Sequence, residues 1–210
     1  MNVLRFSRSF RLTSIFCGAL LLSAACSSKE KQSATPESGS PPAAAAHGAG
    51  GNAINAGGLT WTVPQGWEVG GERPMRAATY SVPAAKGDAE AGECAVYYFG
   101  QGQGGDIQSN LQRWIGQFEQ PGGKSSADVA KTAEKTINNL HVTTIELAGT
   151  YLASAGPMAT KQVNKPGFML LGAIIEGPQG NVFFKFTGPK QTVTATQKEF
   201  QSLIGSVKAQ

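Results

Sequence analysis

The chain has 210 residues, 40% of them hydrophobic and 8% aromatic, proportions that fit one globular domain with tails. Its formal net charge is +4, but Arg5, Arg8 and Arg11 supply three of the eighteen cations; beyond residue 58, thirteen Lys and Arg face twelve Asp and Glu. A nucleic-acid binder needs a basic stripe in its folded part. This chain keeps none, which excludes that class.

Residues 1–25 have the three parts of a secretory signal: the arginines, the apolar run LTSIFCGALLLSAA (12–25), and small residues at its close. Fourteen residues of helix span roughly 21 Å, short of a hydrocarbon core of roughly 30 Å, so a removed signal is favoured over a membrane anchor. The next residue is Cys26, and LLSAAC resembles the lipobox of bacterial lipoproteins, with Ser23 where that family prefers Leu. The resemblance implies cleavage before Cys26 and acylation of it, so that the acyl chains make the membrane a partner. Ser27 and Ser28, in place of Asp, imply sorting to the outer membrane. The alternative is cleavage by an ordinary signal peptidase at Ser23 and Ala25, leaving Cys26 a free thiol.

Residues 27–58 are almost wholly Ser, Ala, Gly, Pro and a few charges, with Ile54 the sole large apolar side chain. Such a stretch buries too little surface to offset its ordering entropy, and 26–58 is expected to be a disordered tether behind the lipidated cysteine. His47 lies in it without a neighbouring His or Cys and reads as a linker residue.

A single globular domain is expected over 59–210. LTWTVP (59–64) alternates as a half-buried strand ended by Pro64, and PQGW forms a turn from which Trp67 re-enters or caps the core. MRAATYSVP (75–83) reads as a weaker strand and AKGDAEAGE (85–93) as a polar turn. ECAVYYFG (93–100) is apolar on both faces, the mark of a strand covered on both sides. Asp106 offers an N-cap to a helix placing Ile107, Leu111, Trp114, Ile115 and Phe118 on one face, ended by PGG (121–123). AEKTI, Asn138-Asn139 and LHVTTIELAGTY predict a hairpin; FMLLGAIIE (168–176) and VFFKFT (182–187) predict a second. After Gly188-Pro189 one last helix carries Val193, Phe200, Leu203, Ile204 and Val207 on one face. Antiparallel pairs with two amphipathic helices give an α+β class, an antiparallel sheet with packed helices.

TWTVPQGW (60–67), the two hairpins, and FKFTGPK leading into a helix with F-x-x-L-I-x-S-V resemble the PsbP-like fold over roughly residues 59–207. That resemblance implies an α/β/α sandwich and a binding role. It transfers no partner and no metal ligands.

The chemistry-bearing residues are few. FGQGQGGD (99–106) holds a G-x-G-x-x-G at Gly100, Gly102 and Gly105, between a strand and a helix, where a dinucleotide phosphate could sit. Against this, Asp106 places a negative charge at the phosphate position, no acid ends a strand about twenty residues on, and the chain carries an export signal. The expectation is a flexible connection, with Gly102, Gly104, Gly105, Asp106 and Trp67 as a candidate interaction surface. Cys94 and His141 are the lone Cys and His of the folded part, so no internal disulfide is expected there. A strand thiol usually packs as a small apolar group, and His141 most simply faces solvent, which disfavours a Cys/His nucleophile. Asp88, Glu90 and Glu93 lack calcium-loop spacing and read as a solvated turn. No G-x-S-x-G elbow occurs. Catalytic residues, metal ligands and cofactors are therefore all expected to be none. The expected function is a membrane-anchored binding or structural module engaging an envelope protein, with an envelope hydrolase of unassigned residues as the alternative.

Overall fold

The computed structural model describes residues 53–154 and 162–210. The expected signal, Cys26, His47 and most of the expected tether lie outside the described residues. The chain divides into two units, 1–45 and 46–210, and the described residues belong to the second. Its strands are β1 Ala53–Ala56, β2 Leu59–Thr62, β3 Glu68–Val69, β4 Ala78–Val82 and β5 Gly92–Tyr98. Helix α1 Ile107–Ile115, β6 Phe118–Glu119 and the single turn α2 Ser126–Val129 follow. Then come β7 Lys131–Ile137, β8 Leu140–Ser154, β9 Gln162–Gly177 and β10 Gly180–Pro189. Helices α3 Lys190–Ala195 and α4 Gln197–Gly205 and strand β11 Lys208–Ala209 complete the unit. The class is α+β: a mostly antiparallel sheet with a few helices.

The main sheet runs β3-β4-β5-β10-β9-β8-β6, with β7 also paired to β8. β5 and β10 thus lie centrally, as the two-sided apolar pattern of ECAVYYFG requires. Asn138 and Asn139 take left-handed φ of 49° and 64° and close the β7–β8 hairpin, conformations that Asn tolerates better than most residues. A second, three-stranded sheet has the order β1-β2-β11.

Order begins earlier than Leu59. β1 pairs antiparallel with β2, and Gly57-Gly58, at φ 62° and 73°, form the two-residue turn between them. Composition hides this strand because ladder pairing uses the backbone, which Ala and Asn supply as well as Val does. The expected single last helix is two, broken at Thr196, whose φ/ψ of −104°/14° leaves the helical region. Helix α1 stops at Gly116 rather than at PGG, so Phe118 joins the core from a strand.

Side-chain alternation splits the core between the two faces of the main sheet. On one face Val96, Phe184, Phe186, Leu171 and Ile175 pack with Leu59 and Trp61 of β2 and with Phe200, Leu203 and Ile204 of α4. On the other, Phe183, Leu170, Ile174, Ile145 and Leu147 meet Leu111 and Trp114 of α1. No helix among the described residues is long and apolar enough to cross a membrane.

Candidate anion-binding site

The residues singled out in the sequence do not converge. Trp67 is 7% exposed, its ring against Phe186 at 5.3 Å and Tyr80 at 6.3 Å, so it is a core residue and offers no surface to a partner. Gly100, Gly102, Gly104 and Gly105 all have positive φ. At Gly104 a Cβ would stand 2.8 Å from Phe99 and 3.0 Å from Phe183, so the loop needs its glycine to lie against those rings. The Asn110 side-chain amide donates to the carbonyls of Gly104 and Asp106, both at 2.8 Å. The Asp106 carboxylate accepts from the Ser109 N–H at 2.8 Å and the Ser109 hydroxyl at 2.6 Å, and these bonds hold its pKa below the usual carboxylate value. The place a pyrophosphate would take is filled by the chain's own cap.

Cys94 is fully buried on β5, and burial pushes its thiol far up, away from the reactive thiolate. The register runs Cys94, Phe186, Leu171, Glu146 across β5, β10, β9 and β8, and His141 lies five residues farther along β8. That is roughly 14 Å across the sheet and roughly 17 Å along it, far outside proton-transfer reach. His141 instead meets Glu176 and Glu134 on the surface, the latter at 3.7 Å. The three acids expected in a solvated turn each have a separate partner. Asp88 accepts from the Thr192 N–H and hydroxyl at 2.8 and 2.6 Å, tying the β4–β5 loop to α3. Glu90 meets Lys165, and Glu93 meets Arg73 and Arg76 at 3.2 and 2.9 Å. Among the described residues no group of three or more His, Cys, Asp or Glu is placed to hold a metal ion.

The chemistry gathers at a residue that sequence reading passed over. Lys185 occupies the middle of β10, directly opposite Ala95 of β5 and Gly172 of β9. It shares the α1 face with Phe183, where every second side chain of a central strand is expected to be apolar. Its ammonium donates to Gln117 Oε1 at 2.5 Å and to the Tyr151 hydroxyl at 3.2 Å, and lies 5.1 Å from the Tyr151 ring. No carboxylate among the described residues pairs with it. Burial, and then the nearby Arg113 and Arg76 guanidiniums, lower its pKa to about 8, with Glu93 opposing. Across the site the Arg76 guanidinium lies 5.7 Å from the Tyr97 ring, and its Nη1 donates to Thr79 Oγ1 at 3.3 Å. Burial, and then Tyr97 and Glu93, raise the Tyr151 phenol, whose ring stacks on Phe168 at 6.1 Å.

The surroundings explain how the fold tolerates this. Gly172 leaves room for Trp114: a Cβ there would lie 2.5 Å from the indole, so α1 seals the sheet beside the lysine. Past the end of α1, Gln117 turns back onto the sheet, its carbonyl accepting from the Leu152 N–H at 2.8 Å. The result is a half-buried basic and aromatic cluster on an otherwise apolar sheet. The one sequence signal was the lysine in F-K-F, on a strand apolar to both sides.

No family model matches the chain, and no curated protein matches it. Among solved structures it is similar to cyanobacterial PsbP (CyanoP) from Synechocystis sp. PCC 6803, at 11% identity and a TM-score of 0.44, over 81% of this chain and 100% of that one. It is also similar to PA94 of Pseudomonas aeruginosa, a protein of unknown function, at 9% identity and a TM-score of 0.43, over 70% of this chain and 85% of that one.

Proposed function

We propose that this chain is a lipid-anchored, non-catalytic binding module of the cell envelope, held at the outer membrane by acyl chains on Cys26 and engaging an envelope partner through the Lys185 cluster. The observation that carries the reading is a lysine kept partly buried without a carboxylate partner. Such a group opposes folding and persists in structures chiefly where it has a task. The charged and apolar N-terminal run, its closing cysteine and the low-complexity stretch after it support the anchor. Helix α1 on one face and α3 and α4 on the other support a PsbP-like α/β/α layering. The wide separation of Cys94 from His141 favours binding over thiol hydrolysis.

The test is photo-crosslinking in intact cells with a probe at residue 151 or 185, followed by recovery of the tagged chain. One partner band, absent when Lys185→Met is introduced into a probe-151 chain, is the expected result. Turnover of an envelope substrate with no such band would overturn the binding reading. For the anchor, a palmitate analogue is expected to label the wild type and not Cys26→Ser; an unlabelled wild type would remove the membrane from the proposal.

A further inference from the structure

We propose that the Lys185–Tyr151 pair takes a carboxylate carried on a flat apolar body. The inference rests on the binding reading above and gives that site its ligand class.

The charge sets the first requirement. Glu93 is already engaged by Arg73 and Arg76, so Lys185, Arg76 and Arg113 outnumber the one acid beside them. A net positive site of this kind calls for an anion. The donors set the second. Lys185 uses two of its three N–H groups on Gln117 and Tyr151. The Tyr151 hydroxyl accepts from Lys185 and keeps its own proton to donate. One N–H and one O–H, on atoms 3.2 Å apart, can meet the two oxygens of one carboxylate, and bonds of this charge-assisted kind are the stronger class. The Lys185–Tyr151 pair alone fits a carboxylate; phosphate, which would also draw on the guanidiniums, is the competing anion that the titration separates.

The walls set the third requirement. Tyr151 stacks on Phe168 with 16° between their planes, and on the opposite side Tyr97 stacks on Phe99 with 13°. Tyr151 lies 5.1 Å from the ammonium, and Tyr97 of β5 stands on the same face of the sheet. A planar or short apolar body laid against these rings buries surface while its carboxylate meets Lys185 and Tyr151. The charged and titrating groups that face the ligand are Lys185, Tyr151, Tyr97, Arg76, Arg113 and Glu93, so affinity follows the protonated form of Lys185 and falls as pH rises past its titration.

The test titrates benzoate into the full chain, read by NMR at the Lys185 side-chain carbons and the Tyr97 and Tyr151 rings. Benzoate should give a saturable shift confined to those groups, while benzamide and inorganic phosphate should not saturate. Lys185→Met should weaken benzoate about tenfold or more, the loss expected for one hydrogen bond to a charged group. Tyr151→Phe keeps the ring, loses one donor and should weaken it less, which keeps the test decisive if the lysine variant does not fold. Unchanged benzoate affinity in a folded Lys185→Met chain, no saturable shift, or saturation by phosphate at lower concentration than by benzoate would each overturn the proposal. Partner crosslinking that persists without any benzoate response overturns this inference alone. A benzoate site without a crosslinked partner overturns only the partner reading.

Discussion

The two faces of the main sheet are built to different ends. Against α4 and β2, the inward side chains of β10 are Val182, Phe184 and Phe186, each fully buried, with Trp61 edge-on to Phe184 at 5.1 Å. Against α1 the same strand presents Phe183 and then Lys185. One face is closed and apolar; the other is interrupted midway by a cation, two tyrosines and a guanidinium. Interiors packed this densely do not hold a lysine by accident of composition. The contrast separates a face that pays for folding from a face that keeps chemistry available.

The closed face should be the more sensitive to truncation. Phe184→Ala empties a site enclosed by Trp61 and neighbouring strands and is expected to cost about 3–5 kcal/mol in urea unfolding. A loss well under 2 kcal/mol would mean that the face repacks and is less specific than its geometry. Tyr80→Phe is next. The Tyr80 hydroxyl accepts the Trp61 indole N–H at 2.8 Å inside the core, so its removal strands a buried donor and should cost about 1–3 kcal/mol.

On the open face the sign reverses. The folded pKa of Lys185, about 8, lies below its ordinary 10.5, so protonation is harder in the folded chain than in the unfolded one. Its contribution to stability is lowest below pH 8 and rises as pH climbs from 8 to 10.5. Lys185→Met is therefore expected to stabilise the domain at pH 7, by on the order of 1 kcal/mol, and to flatten that alkaline rise. Thermal unfolding of both chains from pH 7 to 10.5 reads it. A destabilised variant would mean that Lys185 holds the fold together through Gln117 and Tyr151. The smallest effect is expected at Asp106, whose folded pKa is depressed by its cap bonds. The stabilisation is present above the unfolded carboxylate pKa and lost as pH falls through the folded one. Asp106→Ala should lower the denaturation midpoint slightly at pH 7 and leave it unchanged once both chains are acidified.

Legibility follows the same division. The closed face is written in patterns that one local rule can read: Leu59, Trp61 and Val63 alternating, Val182, Phe184 and Phe186 alternating, Phe200, Leu203 and Ile204 on one helical stripe. The α1 cap is readable too, because Asp106 and Ser109 stand at the spacing the cap needs. β1 is not, since one Ile among Ala and Asn makes no alternating pattern, and the strand owes its conformation to the ladder with β2. The break at Thr196 is equally silent, for Thr is a tolerated helix residue. Trp67 misleads because a lone aromatic after a turn looks the same whether it faces solvent or fills a gap between Tyr80 and Phe186. The Lys185 cluster is the hardest of all. Lys185, Gln117, Tyr151 and Arg76 come from four distant segments, and no spacing along the chain marks groups that only tertiary structure brings together.

The small sheet has a consequence for the order of folding. β11 pairs with β2, joining residues 148 positions apart, and the Gln210 N–H donates to the Gly58 carbonyl at 3.0 Å. A polypeptide emerging N-terminus first holds Leu59 and Trp61 ready long before their last partners exist. Contacts of such long range close slowly, since the loop entropy comes due before any reward. Until residues 208–210 are made, that edge of β2 carries unpaired backbone groups, so the small sheet is completed late in folding.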